Sequence, residues 1–395
     1  MTKTKKQKWI KKRHKVTFKI LRGIFKPFFN IRYRLKLSFD ENKIPKPALI
    51  MANHQTTYDQ FMVMCSFKRP IYLIASEDLF MNPVLGPLMK YFIEPIAKSK
   101  SKSDVGTILN TMRVLKEGGT VAIFPEGNRT LSGGSWKIDL STAKLVKSCK
   151  VPLVLYKIDG GYGTDPRWGG KIRRGKMSAK TVEVISAERI NSMTVEEIYD
   201  KICSTLASND FESGVKFKSR RRAEFLERAL YYCPNCGSFE SLYSKGNYLY
   251  CKNCEMTAEY TEDLKIKALS GVLPYNTVYE WFNAEQLKLK ERLNRDENFC
   301  FNDQKLSART IVKKKWHGEG KAKISAFLSG IEIEVVSGKI FKYSYEELLG
   351  MTVLGKRKIN FYLPNKTTLQ IIGGKRFCGV KYLHLFECVK ENKDE

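Results

Sequence analysis

The sequence of 395 residues predicts an α/β domain, followed by a short cysteine-rich module and then a β-rich region. Segments with strand and helix patterns alternate between residues 48 and 206, which is typical of α/β layer architectures. Two Cys-x-x-Cys pairs follow, between Cys233 and Cys254. Beyond them, apolar and polar residues alternate as they do in half-buried strands.

Short apolar runs in the first region predict its strands, and a period of 3.6 residues predicts its helices. The strands are expected at 48–52, 71–75, 120–124, 151–156 and 182–185, and the helices at 105–116, 141–147 and 195–206. The glycine-rich, basic stretch 160–175 predicts a mobile loop. The basic run 216–222 predicts a linker, so the α/β domain is expected to span 37–215.

The rest of the chain predicts two further parts. We expect the cysteine-rich module at 227–262 and a β-rich accessory domain at 265–395. A hairpin pattern at 331–343 and a helical pattern at 380–389 indicate paired strands closed by one helix. That order is similar in shape to a pleckstrin-homology domain, and an uncharacterised β-rich domain is the alternative.

The charge of the chain is strongly positive. Lysine and arginine outnumber aspartate and glutamate by 70 to 41, which gives a formal net charge of +29. Such a surplus favours an anionic partner: nucleic acid, an acidic carrier protein or an anionic lipid surface. An apolar content of 43% and an aromatic content of 12% exclude a wholly disordered chain. Residues 1–36 contain 14 lysines and arginines and no acid, so about half of the surplus lies there.

Residues 1–36 also have the periodicity of an amphipathic helix. Apolar side chains share one side of the helical wheel and basic side chains the opposite side: Val16, Ile20, Leu21, Ile24, Phe25 and Phe28 against Lys15, Lys19, Arg22 and Lys26. This pattern predicts a helix in the interface of an anionic membrane, and a core-facing helix with a solvated basic face is the alternative. No run approaches the ~20 apolar residues of a spanning helix, and charges interrupt any secretory signal. We therefore expect a peripheral protein on the cytoplasmic face of the membrane.

The segment from Asn53 to Asp59 (NHQTTYD) directly follows a predicted buried strand, where α/β proteins place their functional loops. A histidine titrates near neutrality and accepts a hydroxyl proton, and a carboxylate fixes its tautomer. Five residues turn a helix by about 140°, so His54 and Asp59 meet only if His54 lies in the loop and Asp59 begins the next helix. They are the candidate catalytic pair, and a structural histidine is the alternative.

The segment FPEGNRT at 124–130 follows another predicted buried strand. Arg129 has a planar guanidinium that binds phosphate through two hydrogen bonds. Gly127 allows backbone amides to approach an anion closely. Glu126 is suited to hold a glycerol hydroxyl or to orient the arginine. An ordinary loop with an exposed ion pair is the alternative.

Together, 71 residues apart and in this order, the two segments resemble those of the glycerolipid acyltransferase family, typified by 1-acylglycerol-3-phosphate acyltransferases. The family blocks N-H-x4-D and F-P-E-G-x-R-[ST] are matched at 53–59 and 124–130. Lys98 takes the place of an intervening family arginine, and Leu155 replaces the second proline of the family's V-P-x-x-P strand. The resemblance covers roughly residues 15–210, and it implies a mixed sheet flanked by helices.

The resemblance also implies a reaction. His54, oriented by Asp59, removes the proton from an acceptor hydroxyl, which attacks the thioester of a fatty acyl donor. The residues that the resemblance assigns to substrate binding are Glu126, Gly127, Arg129, Thr130 and Lys98. The expected acceptor is 1-acylglycerol-3-phosphate, giving phosphatidic acid, while another lysolipid, glycerol-3-phosphate and a glycolipid stay open. The expected co-substrate is acyl-CoA or acyl carrier protein.

The four cysteines of the module have the spacing of a zinc ribbon: Cys233, Cys236, Cys251 and Cys254. Four thiolates fill all positions of a tetrahedral zinc ion, which predicts structural Zn²⁺. The other six cysteines are scattered singly, as buried thiols in a reducing compartment are. A basic chain with a zinc ribbon also fits a nucleic-acid-binding protein. The apolar face of the N-terminal segment argues against that alternative, so no nucleic acid partner is expected.

Overall fold

The computed structural model describes residues 8–38, 41–77, 80, 84–98, 105–312, 315–365 and 367–394. The chain divides into two compact units. Unit 1 comprises Met1–Pro166 and Arg174–Phe217, and unit 2 comprises Arg167–Arg173 and Lys218–Glu395. Among the described residues, no helix combines the length and the apolar character that a membrane crossing requires.

Unit 1 contains eight helices and seven strands in its described residues. The helices are α1 (Lys12–Tyr33), α2 (Asp59–Ser66), α3 (Leu85–Phe92), α4 (Val105–Lys116), α5 (Ser141–Cys149), α6 (Gly161–Thr164), α7 (Ala187–Ser192) and α8 (Val195–Leu206). The strands are β1 (Leu35–Ser38), β2 (Ala48–Ala52), β3 (Ile71–Ser76), β4 (Ile96–Lys98), β5 (Thr120–Ile123), β6 (Leu153–Asp159) and β7 (Met177–Ile185). They form one sheet in the order β1-β7-β6-β2-β5-β3-β4.

This sheet is mixed, as the sequence predicts. Within the described part of this sheet, the neighbours β6 and β7 run antiparallel and the other neighbouring strands run parallel. The helices α4 and α8 have the bounds predicted from periodicity. A capping box fixes the start of α8, because the side chains of Thr194 and Glu197 each accept the other residue's backbone N–H. The α/β prediction for this domain is confirmed.

The core of unit 1 lies on the central strands. β2 lies between β6 and β5, and all five of its residues are buried. Leu49 and Met51 pack into an apolar cluster with Val114 of α4, Val146 of α5 and Ile198 of α8. Central parallel strands are buried on both faces, so they read as continuous apolar runs. This is why short apolar runs were sufficient to locate them.

The stretch 160–175 corrects one expectation. The sequence predicts a mobile loop there, but residues 161–169 are buried and Gly161–Thr164 form α6. A Cβ atom at Gly163 or Gly175 would collide with the ring of Phe217. The glycines therefore serve close packing, which the composition alone does not distinguish from mobility.

Unit 2 contains two antiparallel sheets and two helices in its described residues. The first sheet contains β8 (Leu242–Lys245), β9 (Tyr248–Cys251), β10 (Thr257–Tyr260) and β11 (Ile266–Ser270), and the helix α9 (Val278–Leu293) follows it. The second contains β12 (Phe301–Val312), β13 (Lys315–Phe327), β14 (Gly330–Val335), β15 (Ile340–Tyr343), β16 (Gly350–Leu354), β17 (Lys358–Tyr362) and β18 (Thr368–Ile372). Its order is β15-β14-β13-β12-β18-β17-β16, and α10 (Val380–Asp394) ends the chain. The region after the cysteines is therefore β-rich and closed by a helix, as predicted.

Candidate active site and metal site

The two motifs meet at the carboxyl ends of neighbouring strands. β2 and β5 are paired in parallel, and each motif begins where its strand ends. Two hydrogen bonds join the loops. The backbone N–H of Thr130 donates to the carbonyl oxygen of His54 at 3.1 Å, and the backbone N–H of His54 donates to Oε1 of Glu126 at 2.9 Å. The loops therefore form one structure around His54.

The side chains of His54 and Asp59 are in direct contact. The His54 Nδ1 atom lies 2.8 Å from Oδ2 of Asp59, and Asp59 is the first residue of α2, as the sequence required. The same Oδ2 accepts the backbone N–H groups of Gln55 at 2.6 Å and Thr56 at 2.8 Å. Because Oδ2 acts as an acceptor, Nδ1 carries the hydrogen of neutral His54 and Nε2 carries the lone pair.

The surroundings hold this pair in place. The Asp59 side chain is fully buried, and its Oδ1 accepts the hydroxyl of Thr56 at 2.6 Å. The His54 side chain is 20% exposed, and its ring stacks on Phe124 at 4.6 Å between centroids. The imidazole is thus fixed on one edge by a carboxylate and on one face by an aromatic ring, while solvent still reaches it.

Asn53 anchors the base of the first loop. Its fully buried side chain bonds to both backbone polar groups of Ile158 on β6: Nδ2 donates to the carbonyl oxygen and Oδ1 accepts the N–H, each at 2.7 Å. Nδ2 also donates to the Ser208 hydroxyl at 3.0 Å. An asparagine therefore ties the end of β2 to its neighbour on the side away from β5.

The Glu126 carboxylate has partners other than those expected from the sequence. It is buried, and its two oxygens accept the backbone N–H groups of His54 at 2.9 Å and Trp136 at 3.1 Å. Burial raises the pKa of Glu126 to about 7. The two hydrogen bonds lower the pKa, but their effect is smaller than that of burial. The carboxylate therefore supports the backbone of His54.

Arg129 lies against the loop that carries His54. Its Nη1 atom donates to the Thr57 hydroxyl at 2.9 Å. Burial lowers the pKa of Arg129, and the nearby carboxylates of Asp165 and Asp59 oppose that change. The guanidinium stays charged near neutrality, because an arginine side chain does not lose its proton in proteins. The positive charge of Arg129 therefore lies beside the loop that carries His54.

The structure places the other three predicted substrate-binding residues as follows. Gly127 is exposed, has φ +66°, and donates its N–H to the Phe124 carbonyl at 3.0 Å, a turn that favours glycine. Thr130 is buried, and its hydroxyl accepts the Gly133 N–H at 2.8 Å. Lys98 is exposed at the end of β4, two strands beyond β5 and so about 10 Å from it.

Trp136 is a site residue that the sequence did not indicate. Its indole Nε1–H donates to the carbonyl oxygen of Arg129 at 2.8 Å, and its backbone N–H donates to Glu126. One residue thus contacts both ends of the EGNR segment, the carboxylate of Glu126 and the backbone carbonyl of Arg129. Trp136 lies outside the family blocks, and its role depends on a loop contact for which the sequence carries no periodic signal.

The four cysteines of unit 2 converge on one point. Their sulfur atoms all lie within 4.8 Å of one another, with Sγ–Sγ distances of 3.8 Å between Cys233 and Cys254 and 3.7 Å between Cys236 and Cys251. These distances are far too long for disulfide bonds. They match the edges of a tetrahedron of sulfurs about 2.3 Å from a zinc ion, which are about 3.8 Å long. The cluster can therefore hold a metal ion.

Helix α9 supports the first cysteine knuckle. The indole N–H of Trp281 donates to the Tyr232 carbonyl at 2.8 Å, and Oε2 of buried Glu285 accepts the Tyr231 N–H at 2.8 Å. Burial raises the pKa of Glu285 well above its ordinary value. Both contacts fix the two residues before Cys233, so the knuckle and the helix form one structure.

Part of the chain is similar to known proteins. A family model described as Acyltransferase matches residues 34–156, which include both motifs. A probable 1-acyl-sn-glycerol-3-phosphate acyltransferase of Mycoplasma genitalium is 24% identical over 186 residues, covering 45% of this chain and 65% of that protein. The 1-acyl-sn-glycerol-3-phosphate acyltransferase of Saccharomyces cerevisiae is 26% identical over 188 residues, covering 46% and 61%. The chain thus spans less than two thirds of the length of these relatives.

A crystal structure of the 1-acyl-sn-glycerophosphate acyltransferase from Thermotoga maritima is also similar, with 20% identity and a TM-score of 0.42 over 50% of this chain and 81% of that one. The family match defines the region that contains His54 and Arg129 as an acyltransferase domain. The chain therefore contains an acyltransferase domain, and this part of it is similar to 1-acyl-sn-glycerol-3-phosphate acyltransferases.

Proposed function

We propose that this protein transfers an acyl group from a fatty acyl thioester to the free hydroxyl of a lysophospholipid. The proposed acceptor is 1-acylglycerol-3-phosphate and the product is phosphatidic acid. The observation that carries the proposal is the His54–Asp59 pair at 2.8 Å, with the Arg129 guanidinium against the loop that carries His54, where its Nη1 lies 2.9 Å from the Thr57 hydroxyl. A base and a phosphate-binding cation side by side suit a substrate that has a hydroxyl and a phosphate.

His54 is the proposed general base. Its Nε2 atom takes the proton of the acceptor hydroxyl as that oxygen forms a bond to the thioester carbonyl carbon. Asp59 stabilises the imidazolium that results, because its Oδ2 accepts the Nδ1–H. When the tetrahedral intermediate collapses, the C–S bond breaks and the departing sulfur takes the proton from Nε2. The products are an ester and a free thiol, and His54 returns to its neutral form.

No covalent acyl-enzyme is needed for this sequence of steps. The nearest cysteine in the chain, Cys65, is buried, and burial raises its pKa to about 11. Such a thiol is not activated for attack near neutrality. Direct transfer between the two substrates is therefore the proposed course.

Arg129 is the proposed ligand of the acceptor phosphate, with Lys98 as a second cation at the same edge of the sheet. Glu126 and Thr130 support this site, since the Glu126 carboxylate joins the two loops by accepting the His54 N–H and the Thr130 hydroxyl accepts the Gly133 N–H within its own loop. Gly127 makes the turn between them. Other lysolipids, glycerol-3-phosphate and glycolipids are alternative acceptors. Acyl-CoA and acyl carrier protein are the two candidate donors, and both are anionic.

We further propose a structural Zn²⁺ at Cys233, Cys236, Cys251 and Cys254. The donor set supports it, because four thiolates satisfy a tetrahedral ion and leave no position for substrate. In this proposal residues 37–215 carry the chemistry, residues 227–262 form the zinc ribbon, and residues 265–395 form an accessory domain. Residues 1–36 associate with an anionic membrane, so the enzyme works as a peripheral protein on the cytoplasmic face.

A donor–acceptor matrix assay with purified full-length protein tests the proposal. Acyl-CoA and acyl carrier protein thioesters are each combined with 1-acylglycerol-3-phosphate, glycerol-3-phosphate, lysophosphatidylcholine and a phosphate-free monoacylglycerol in liposomes. We expect the highest kcat/KM with 1-acylglycerol-3-phosphate and the lowest with the monoacylglycerol. Equal rates with and without phosphate would contradict the role of Arg129, and absence of transfer to every acceptor would contradict the function. Retention on DNA at physiological salt would favour the nucleic-acid-binding alternative.

A further inference from the structure

Helix α1 has two apolar faces, and only one of them is used by the fold. His14, Phe18, Phe29 and Tyr33 are buried in unit 1. A second set of apolar side chains on α1 is exposed: Val16, Ile20, Ile24, Phe28 and Ile31, with Ile20 at 56% and Ile24 at 60%. Four of the six residues on the predicted apolar side are among these exposed residues, so most of that side faces away from the core.

The short helix α3 is also apolar and exposed. Among its residues only Gly86 is buried. Its large apolar side chains are exposed: Leu85 at 48%, Leu88 at 47%, Tyr91 at 54% and Phe92 at 42%. Contiguous exposed apolar side chains of this kind mark an interaction surface more often than an ordinary solvated face.

Arg13 joins the two exposed sets. Its guanidinium lies 4.1 Å above the centroid of the Tyr91 ring, and its Nε donates to the Tyr91 carbonyl at 2.9 Å. At 100° per residue, the exposed apolar residues of α1 lie within about 60° of Arg13 on the helical wheel. The exposed stripe of α1 therefore leads directly onto α3. We name these exposed side chains of α1 and α3 the α1–α3 surface.

The charges beside this surface favour an anionic occupant. On the helical wheel Lys12 and Lys19 lie about 40° and 60° from Val16, at one edge of the α1 stripe, and residues 1–36 contain no acid. At the other end of α1, a cavity of about 430 Å³ is lined by Lys26, Asn30, Arg34, Lys36 and two leucines of β1. Apolar side chains bordered by cations match the acyl region and the headgroups of an anionic leaflet.

The C-terminal half of α1 lies next to the candidate active site. Phe25 stacks on Phe61 of α2 at 4.4 Å between centroids, and Phe28 lies 6.2 Å from the ring of Tyr58, the residue before Asp59. A lipid leaflet on the α1–α3 surface would therefore reach the edge of the loop that carries His54. This is where an acceptor with its acyl chain in the membrane would arrive.

We propose that α1 and α3 together form one membrane-docking surface, with α3 inserting its apolar side chains beside α1 in an anionic leaflet. The N-terminal segment alone is then an incomplete anchor. This proposal deepens the proposed function, because it names the surface through which the enzyme reaches a membrane-embedded acceptor. Vesicle binding is measured without turnover, so a failure of the acyl-transfer proposal leaves this test intact.

The test uses substitutions at exposed positions in full-length protein. Deleting residues 1–30 would also remove Phe18 and Phe29 from the core, so loss of binding would not separate an anchor from a folding defect. The α3 variant carries Leu85→Ser, Leu88→Ser and Phe92→Ser, and the α1 variant carries Ile20→Ser, Ile24→Ser and Phe28→Ser. A matched control replaces three exposed apolar residues of unit 2: Val336→Ser, Ile340→Ser and Leu349→Ser.

Binding is measured by co-sedimentation with vesicles of phosphatidylcholine plus phosphatidylglycerol, and of phosphatidylcholine alone. The α1 and α3 variants should each need about tenfold or more lipid for half-maximal binding, because each loses three inserted apolar side chains. At high salt the wild-type protein should keep part of its binding, whereas a protein that combines the α1 and α3 substitutions should keep none. Wild-type binding by the α3 variant, or an equal loss in the control, would overturn the proposal.

A gain-of-signal variant guards against folding defects. With Leu88→Trp, vesicles that contain brominated lipid should quench the added fluorescence, whereas with Val336→Trp they should not. No additional quenching with Leu88→Trp would overturn insertion of α3. A second copy of the chain is the other candidate occupant. If light scattering shows a dimer that the α3 variant dissociates, with vesicle binding unchanged, the surface is a self-association interface and the proposal is wrong.

Discussion

The Nδ1 atom of His54 lies 2.8 Å from Oδ2 of Asp59, and that oxygen also accepts two backbone N–H groups. This relationship fixes the tautomer of the histidine. The two backbone N–H groups hold Oδ2 of Asp59 as a hydrogen-bond acceptor, so Nδ1 of His54 must be the donor. This relationship also places the lone pair on Nε2, in a side chain that solvent reaches.

Arg129→Lys should raise KM for a phosphate-bearing acceptor by roughly tenfold or more and change KM for the acyl donor little. Lysine keeps the charge but loses the planar fork that binds two phosphate oxygens. Steady-state kinetics with varied acceptor and varied donor measures the two constants. Arg189→Lys, at an exposed position of α7, is the matched control. An equal effect on a phosphate-free acceptor would show that Arg129 has another role.

Trp136→Phe should raise KM for the acceptor more than it lowers kcat. Phenylalanine keeps an aromatic ring but loses the Nε1–H that holds the Arg129 carbonyl at 2.8 Å. Trp9→Phe is a matched control, because its indole also donates to a backbone carbonyl, that of Glu94 at 3.1 Å. Equal effects of the two substitutions on KM would mean that Trp136 contributes only general stability.

In the Glu126→Gln protein, the free energy of unfolding should fall less as the pH rises than it does in the wild-type protein. Because burial raises the pKa of Glu126 from 4.5 to about 7, the folded protein binds more protons than the unfolded chain between these values. Stability therefore falls as pH rises through this window, by about 3 kcal/mol for this group alone. Denaturant unfolding at pH 5 and pH 8 measures the difference in both proteins. An identical pH dependence would show that Glu126 titrates normally.

Elemental analysis of protein purified without chelator should find one zinc ion per chain. Cys233→Ser should lower the zinc content and destabilise unit 2, because structural zinc contributes to folding. It should not alter the chemistry at His54 directly. Cys300→Ser, which removes a cysteine outside the cluster, should keep the zinc. Zinc-free wild-type protein, or zinc retained in the Cys233 variant, would contradict the assignment.

The sequence was sufficient where burial and spacing determine structure. β2 is buried on both faces, so its residues are nearly all apolar, and α4 was located from its 3.6-residue period. The spacing of His54 and Asp59 allowed the pair to meet only if Asp59 began the next helix, and α2 does begin at Asp59. The two Cys-x-x-Cys pairs were sufficient to predict the cluster of four cysteines, because each knuckle brings two sulfurs together.

The remainder depends on contacts between distant residues. The glycines of 160–175 were interpreted as signs of mobility, although they allow close packing on Phe217. The sequence offered Glu126 to hold a glycerol hydroxyl or to orient Arg129, and it did not indicate that the oxygens of Glu126 accept the N–H groups of His54 and Trp136. Periodicity gave α1 one apolar side, most of which is exposed, whereas the residues that α1 buries, Phe18 and Phe29 among them, lie outside it. Composition does not contain such information.

The most direct measurement of the central claim is the rate of phosphatidic acid formation by wild-type, His54→Ala and Asp59→Asn proteins. We expect both substitutions to lower kcat by a factor on the order of 10³ or more while circular dichroism and the thermal transition stay close to wild type. Asp200→Asn, at an exposed position of α8, should keep the wild-type rate. Near-normal turnover by either variant would show that His54 and Asp59 do not form the catalytic pair.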